Sequence, residues 1–215
     1  MAELIPGVAF ALSPLVRRIL AGDAGAPGAR GTVPEPGTNT YLVGIDEVAV
    51  IDPGPDDERH HDAIIGCGGD RIRWIVPTHV HTGAGGPGAH AAGGPRLRDR
   101  TGADLLDPAA LADGDQLVGT EFRLTAMHTP GHTPEHRCFL LEEERLLFSG
   151  DHVTPGAVVA PGPGGDWEAW RAQLERLRSL RLRTIAPGHG DVIDDAAAAV
   201  EACLGAAAAG PRDPA

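Results

Sequence analysis

Two histidines one residue apart are the most conspicuous potential metal ligands in the chain. They close the stretch W-I-V-P-T-H-V-H at residues 74–81, in which an apolar run ends at a proline. The apolar run predicts a buried strand that ends just before His79 and His81. Residues two apart on a strand point to the same face, so both imidazoles could reach one metal ion. An H-x-H pair alone is weak evidence for a metal site.

Three further stretches place a histidine or an aspartate directly after a strand-like segment. They are T-P-G-H at 129–132, F-S-G-D-H at 148–152 and P-G-H-G at 187–190. Each contains glycine, which lets the backbone turn closely around a site. Together with the H-x-H pair, they strengthen the case for a metal centre built at strand ends.

In this order, the segments resemble the signature segments of the metallo-β-lactamase superfamily. The stretches G-T-N-T-Y-L-V at 37–43 and I-D-P-G at 51–54 match its N-terminal segments, and the resemblance runs from about 37 to 194. Within the superfamily it is closest to the lactamase-beta-like hydrolases, relatives of the glyoxalase II type. It implies an α/β fold, a metallo-β-lactamase-like αβ/βα sandwich of two mixed β-sheets flanked by helices. We expect a single domain at 1–209 and a frayed C-terminal tail at 210–215.

One motif departs from the family pattern. The family reads H-x-H-x-D-H followed by x-G-G, whereas here H-V-H-T is followed by G-A-G-G at 79–86. The aspartate and the third histidine are missing, as if a single glycine replaced them. In the family these two residues serve the second metal site, and the aspartate is also implicated in handling protons. We therefore expect a weakened second site and reduced or altered activity.

The resemblance, carried over residue by residue, implies the ligand set. His79, His81 and His132 would form the first metal site, Asp151 would bridge to a second, and His189 would be that second site's surviving ligand. Three histidines and a water suit a catalytic zinc, which lowers the pKa of the water to about 7 and supplies hydroxide at neutral pH. Two ligands are too few for a firm second site. We expect one Zn²⁺ per chain, with Fe²⁺ as the alternative.

Several residues near these ligands are candidates for supporting roles. Asp151 either joins the histidines in a closed, structural type of site or holds the water as a general base, and the catalytic role is our expectation. Asp52 would orient a metal-binding histidine, although an aspartate that caps a turn fits equally well. Asn39, His136 and His152 are candidates for contacts with ligands or substrate. The alternative for the two histidines is a hydrogen-bonded structural role.

Three other histidines are expected to lie outside the site. His60 and His61 are neighbours on a predicted helix at 56–67, so they point in different directions and are expected to be solvated. His90 could replace the lost ligand, but a surface histidine is the simpler expectation. It lies in a stretch at 83–95 that is rich in glycine and proline. Because each glycine costs about 1 kcal/mol and each proline about 3 kcal/mol in a helix, a regular helix is disfavoured there.

The elements that must position these residues follow from periodicity. Strands are predicted at 8–12, 40–43, 48–51, 121–127, 137–141, 146–149 and 183–186, with a long loop at 21–37. Helices are predicted at 56–67, at 166–180 and from 194 onward. Asp166 is the expected N-cap of the second helix, and the two tryptophans in it are expected to be core residues.

Composition limits the function classes. With 42% hydrophobic and 22% charged residues, the chain of 215 residues is globular. A net charge of −12 argues against a broad basic surface for nucleic acid. Three well-separated cysteines indicate reduced thiols, and the N-terminus predicts neither a signal peptide nor a membrane span. We expect a cytoplasmic protein with a small-molecule substrate, and the oligomeric state stays open.

Two hypotheses of function follow. The first is a metal-dependent hydrolase that cleaves an ester, thioester, lactam or phosphodiester with a metal-bound hydroxide at a mononuclear site. The second is a catalytically impaired relative that keeps the fold and one metal for a binding or structural role. The glycines after His81 favour the second, and the four intact ligand segments favour the first. We expect an enzyme.

Overall fold

The computed structural model describes residues 5–22, 37–80, 91–156 and 166–208. The chain divides into two compact units, each built around one β-sheet. The first unit comprises Met1–Ala110 and Val118–Phe122, and the second comprises Leu111–Leu117 and Arg123–Ala215.

The first unit holds a mixed sheet whose strands lie in chain order. These are β1 (Ala9–Ala11), β2 (Val16–Leu20), β3 (Asn39–Val43), β4 (Val48–Ile51), β5 (Ile72–Val76) and β6 (Asp104–Leu105). β1 to β4 pair antiparallel, whereas β4, β5 and β6 pair parallel. Parallel neighbours need crossover connections. Helix α1 (Glu58–Gly68) lies between β4 and β5 in the chain, and α2 (Gly94–Thr101) lies between β5 and β6.

Both helices of the first unit pack on its sheet through aliphatic side chains. Ile64 of α1 and Leu97 of α2 share one buried cluster with side chains from β2 to β5, namely Ile19, Leu42, Val48, Val50, Ile72 and Ile75. Ile19, Leu42 and Ile75 are fully buried. This burial fixes α1 against the strands whose ends carry the candidate site.

A second mixed sheet, which lies in the second unit except for Val118, consists of β7 (Gln116–Val118), β8 (Arg123–His128), β9 (Arg137–Leu141), β10 (Leu146–Gly150) and β11 (Thr184–Pro187). Its spatial order is β11-β10-β9-β8-β7. β8, β9 and β10 pair antiparallel, and β10 pairs parallel with β11. Helices α3 (Trp167–Arg178) and α4 (Ala196–Ala208) pack on this sheet, α3 through the buried Trp170, Leu174 and Leu177. The Asp166 side chain caps α3 by accepting the Ala169 N–H at 2.9 Å.

The expected fold class, two mixed β-sheets with flanking helices, is confirmed. Four short elements were not expected from the sequence: β2, β6, β7 and α2. Most of the loop expected at 21–37 and the tail expected at 210–215 lie outside the described residues. The single domain at 1–209 stays a prediction. None of the helices that the structure describes has the length and apolar character needed to cross a membrane.

Candidate functional site

The first unit brings Asp52 and His79 to the same end of a parallel strand pair. Asp52 directly follows β4 and His79 lies three residues beyond β5, and the carboxyl ends of parallel strands share one edge of a sheet. The Asp52 N–H donates to the Val76 carbonyl at 3.2 Å, which extends the pairing to the end of both strands. The pairing register of β4 and β5 therefore positions Asp52 relative to the segment that leads to His79.

Thr78 connects the Asp52 carboxylate to the His79 ring. The Thr78 N–H donates to Asp52 Oδ1 at 2.8 Å, and its hydroxyl lies 3.0 and 3.1 Å from the two carboxylate oxygens. The same hydroxyl lies 2.9 Å from His79 Nδ1. An ionised carboxylate only accepts, so the single hydroxyl proton goes to Asp52 and the hydroxyl oxygen accepts from Nδ1–H. His79 is therefore protonated on Nδ1, and Nε2 carries the lone pair suited to a metal.

His60 and His61 are buried, so the expectation that both are solvated was wrong. In the first turn of α1, Glu58 and Arg59 are exposed whereas His60 and His61 face the interior, and Asp57 caps the helix by accepting the His60 N–H at 2.9 Å. Burial, reinforced by the charge of His61, lowers the pKa of His60 to about 4. Burial also lowers the pKa of His61. The sequence carried a signal for this burial, because His60 lies one helical turn before the buried Ile64.

In the second unit, parallel pairing brings Asp151 and His189 together. Gly150 and Pro187 are register partners in β10 and β11, and the Gly188 N–H donates to the Gly150 carbonyl at 2.9 Å. Each ligand candidate follows its strand by one or two residues. His189 Nε2 lies 3.9 Å from Asp151 Oδ1.

His132 approaches the other oxygen of the same carboxylate. Its Nε2 lies 3.7 Å from Asp151 Oδ2. Both distances to Asp151 exceed the usual 2.7–3.2 Å of a hydrogen bond. Two ligands of a tetrahedral zinc, each about 2.0–2.1 Å from the ion, would lie about 3.4 Å apart. A carboxylate flanked by two imidazoles at these separations therefore fits a metal such as zinc.

The loop that carries His132 is packed directly on α3. Gly131 has φ 143°, and a Cβ atom there would lie 2.5 Å from the Trp170 Cβ and 2.7 Å from its Cα. The Asp166 N–H donates to the Gly131 carbonyl at 3.0 Å. Only glycine fits this close approach of two backbones. The position of His132 is thus set by packing against the start of α3.

His136 and His152 lie in a row of edge-to-face and tilted ring contacts beside His132. Ring centroids are 6.2 Å apart for His132 and His136, 5.7 Å for His136 and His152, and 6.2 Å for His152 and Trp170. The Thr129 hydroxyl lies 2.8 Å from His136 Nδ1, and the Trp170 Nε1–H donates to the His152 carbonyl at 3.0 Å. Burial, with the charge of His132, lowers the pKa of His152 to about 3, so this ring is neutral at pH 7.

Asn39, His81 and His90 are the remaining candidates. Asn39 is buried and its Oδ1 accepts from Arg18 Nε at 2.8 Å, so its amide oxygen is held by a buried guanidinium. His81 and His90 lie outside the described residues. Sequence reasoning missed Thr78, although a threonine directly before His79 was a visible sign that a hydroxyl could contact the imidazole.

Comparisons with known proteins give a consistent set of relatives. The sequence profile of the Metallo-beta-lactamase superfamily matches residues 33–83 and 83–189. An atrochrysone carboxyl ACP thioesterase of Aspergillus fumigatus is 32% identical over 201 residues, which cover 86% of this chain and 58% of that protein. Thioesterase pkgB of Emericella nidulans is 34% identical over 169 residues, 76% of this chain and 48% of that protein. The chain spans about half the length of the curated relatives it matches.

Solved structures show the same fold. A metallo-beta-lactamase family protein from Thermus thermophilus superposes with a TM-score of 0.66 at 24% identity, covering 93% of this chain and 81% of that one. A metallo-beta-lactamase from Pontibacter korlensis gives a TM-score of 0.74 at 18% identity, covering 94% of this chain and 98% of that one. The two likenesses confirm the fold that the sequence motifs implied.

Proposed function

We propose that this chain, which belongs to the metallo-β-lactamase superfamily, is a metal-dependent hydrolase of acyl thioesters. Membership confirms the resemblance carried by the motifs. The thioester is preferred over the ester, lactam and phosphodiester because two of the relatives described above are named thioesterases. A lactamase-like protein, nscB of Aspergillus fumigatus, is 35% identical over 198 residues, 86% of this chain and 55% of that protein, and its name leaves the substrate open.

The proposed ligands of the metal are the residues that the family motifs imply, namely His79, His81, His132, Asp151 and His189. Two observations support this assignment. The Thr78 hydroxyl lies 2.9 Å from His79 Nδ1, which makes Nε2 the proposed ligand atom. The imidazoles of His132 and His189 approach opposite oxygens of one carboxylate. One Zn²⁺ per chain suits these donors, and Fe²⁺ is the alternative.

When bound, a zinc ion supplies a water whose pKa is lowered to about 7 and polarises the carbonyl of the substrate. Asp151 is the proposed general base of the reaction. The family aspartate that handles protons is missing after Thr82, and Asp151 is the carboxylate among the proposed ligands. The Asp151 carboxylate would take a proton from the attacking water as the new C–O bond forms. The C–S bond breaks, the proton passes to the sulfur, and a carboxylic acid and a thiol leave.

The observation that carries the proposal is the arrangement around Asp151. Two imidazoles lie 3.7 and 3.9 Å from its two oxygens, farther than a hydrogen bond but close enough to share a cation. Such a buried carboxylate costs free energy unless it is paired or binds a metal. The geometry therefore supports a cation-binding centre more strongly than a structural salt bridge.

The test combines metal analysis with thiol release. Full-length protein is purified without chelator or added metal, and metal content and hydrolysis of a short acyl thioester are measured. We expect about one zinc or iron per chain, and loss of thiol release on chelation and in His132→Ala. The control is His128→Ala, because His128 Nε2 contacts the Pro134 carbonyl at 2.9 Å and is not among the proposed ligands. A protein that binds no metal even after addition of Zn²⁺ contradicts the proposal.

The second candidate function is that of a catalytically impaired relative that retains one metal. The observation that favours it is G-A-G-G after H-V-H-T at 79–86, where the family has D-H. A folded protein with one metal per chain that releases no thiol from any acyl thioester, and hydrolyses no ester or lactam, would establish this alternative.

A further inference from the structure

A chain of buried hydrogen bonds continues from the Asp52–Thr78–His79 group into helix α1. The Thr40 hydroxyl donates to the Asp52 backbone carbonyl at 2.6 Å. His60 Nε2 lies 2.8 Å from the same hydroxyl. All five side chains are buried. The network therefore connects a histidine of α1 with the proposed ligand His79, and every member belongs to the first unit.

The donor and the acceptor of each hydrogen bond in this network follow from the groups that can only accept. The Asp52 carbonyl only accepts, so the single hydroxyl proton of Thr40 goes to it. The Thr40 oxygen must then accept from His60, which places a proton on His60 Nε2. The opposite tautomer of His60 would accept the Thr40 proton and remove the hydrogen bond to Asp52. The identity of the protonated nitrogen of His60 thus decides whether the Asp52 carbonyl is held.

The backbone around Asp52 shows why that bond matters. Asp52 has φ 50°, a left-handed conformation that costs a non-glycine residue roughly 1–2 kcal/mol. Such a conformation persists only where the surroundings determine it. Here the Thr40 hydroxyl holds the Asp52 carbonyl, and Thr78 holds the Asp52 carboxylate. Loss of the first contact removes the Thr40 donor from the carbonyl of this strained residue.

The structure also shows how His60 reaches Thr40. Gly54 has φ 75°, and a Cβ atom there would lie 2.9 Å from His60 Nε2 and 3.4 Å from Thr40 Oγ1. The absence of a side chain at residue 54 gives the imidazole its space. The N-cap hydrogen bond from His60 N–H to Asp57 fixes the backbone of the same residue. The Asp57 side chain therefore holds the backbone of His60, and the space at Gly54 accommodates its ring.

We propose that His60 is a positioning residue of the candidate metal centre. By donating to Thr40 it directs the Thr40 proton to the Asp52 carbonyl, holds the Asp52 carboxylate against Thr78, and so keeps the His79 proton on Nδ1. His79 Nε2 is then ready to bind metal before any metal arrives. This role rests on the proposed function of His79 as a ligand.

The test measures the His79 ring and metal affinity separately in the full chain. Nitrogen NMR of the imidazole rings in metal-free protein reports which nitrogen of His79 is protonated, with the signal assigned by its loss in His79→Gln. Affinity for Zn²⁺ alone is measured by competition with a chelating dye. The variants are His60→Leu, which removes the donor, and His60→Gln, whose amide N–H can replace it. The matched control is His61→Leu, because neither ring nitrogen of His61 has a hydrogen-bond partner among the described residues.

We expect His60→Leu to weaken Zn²⁺ binding by about 10-fold, the lower end of the effect of removing a group that supports a ligand. In the same variant, the His79 proton should no longer reside on Nδ1 alone. His60→Gln and His61→Leu should match the wild type in both measurements. A residue that only stabilises the fold would lower the melting temperature and leave the ring proton and the affinity unchanged. The proposal is overturned by that result. It is also overturned if His60→Leu changes the His79 ring proton without changing the Zn²⁺ affinity, or the affinity without the ring proton.

A second pair of variants covers the case in which His60→Leu does not fold. Thr40→Val removes the hydroxyl at nearly constant volume, and Thr40→Ser keeps it. The proposal requires the valine variant to behave as described for His60→Leu and the serine variant to behave as wild type. If wild-type protein binds no Zn²⁺, the proposed function fails, whereas the metal-free spectra alone still decide whether His60 controls the His79 proton.

Discussion

The two units hold their candidate ligands by different means. In the first unit, His79 belongs to a buried hydrogen-bond network that runs through Thr78 and Asp52 to helix α1. In the second unit, His132 is held by backbone packing on α3, and its ring approaches Asp151 at a distance longer than a hydrogen bond. The first arrangement fixes a ligand in the absence of a cation. The second brings two imidazoles and one carboxylate to separations that the proposed cation would bridge.

The largest effect is expected at Asp151, the carboxylate between the two candidate imidazoles of the second unit. Asp151→Asn removes the charge between the two imidazoles at constant size, so Zn²⁺ affinity should fall by more than about 100-fold, beyond the usual effect of losing a group that merely supports a ligand. Competition with a chelating dye measures this loss. Asp113→Asn serves as the control, because Asp113 pairs with Arg176 at 2.8 Å and is not a proposed ligand. If Asp151→Asn bound Zn²⁺ as tightly as the wild type, the second unit would not differ from the first in its dependence on a cation.

Packing in the second unit can be tested at Gly131. The Gly131→Ala change forces a Cβ atom against the Trp170 backbone at a strained φ, so the free energy of unfolding should fall by about 2–4 kcal/mol. Urea unfolding followed by tryptophan fluorescence measures it. Gly114→Ala is the matched control, because Gly114 also has a positive φ, of 89°, but a Cβ atom there would meet nothing within 4 Å. If both variants lose the same free energy of unfolding, the positive φ alone, and not the contact with α3, causes the destabilisation.

The hydrogen-bond network of the first unit can be broken at Thr78. Thr78→Val removes the hydroxyl between Asp52 and His79, so Zn²⁺ affinity should fall by about 10- to 100-fold. Thr78→Ser keeps the hydroxyl and should bind as wild type does. Isothermal titration with Zn²⁺ distinguishes the two variants. If valine and serine behave alike, the His79 ring is oriented by packing, and the two units are more similar than the contacts indicate.

The first unit should also be sensitive to acid. Burial and the charge of His61, partly opposed by Asp57, lower the pKa of His60 from 6.5 to about 4. The unfolded chain therefore binds more protons between these values, and stability falls as the pH falls below 6.5. The loss assigned to His60 is about 2 kcal/mol between pH 7 and pH 5. His60→Gln, which cannot titrate, should lose that much less stability in urea unfolding over this range, and equal losses in both proteins would contradict the assignment.

Local patterns in the sequence predicted the main framework of the fold. The alternation at 121–127 predicted β8, and the spacing of Trp170, Leu174 and Leu177 predicted the buried face of α3. β6 and β7 could not be predicted in this way, because two or three residues are too few to show a period. α2 begins at Gly94 and Pro95, which by propensity argue against a helix. A proline is tolerated in the first turn of a helix, where its missing N–H has no intrahelical partner.

Those residues of the candidate site that come directly after a strand could be predicted from the sequence. The short motifs placed Asp151 and His189 after β10 and β11, and parallel pairing brings them together. The contribution of His60 was not predictable, because the contact with Thr40 joins residues from two distant elements. A polar residue on the buried side of a helix indicates only that a partner is needed. It does not identify the partner.

The main-chain bond from the Gly188 N–H to the Gly150 carbonyl has a consequence for loop grafting. It fixes the ends of β10 and β11, and with them Asp151 and His189, independently of the length of the chain between the two strands. Segments inserted between Gly156 and Asp166 would leave the spacing of these two residues unchanged, provided that α3 stays docked. Insertions of different length at this point therefore change the connection between the strands while the pair stays constant.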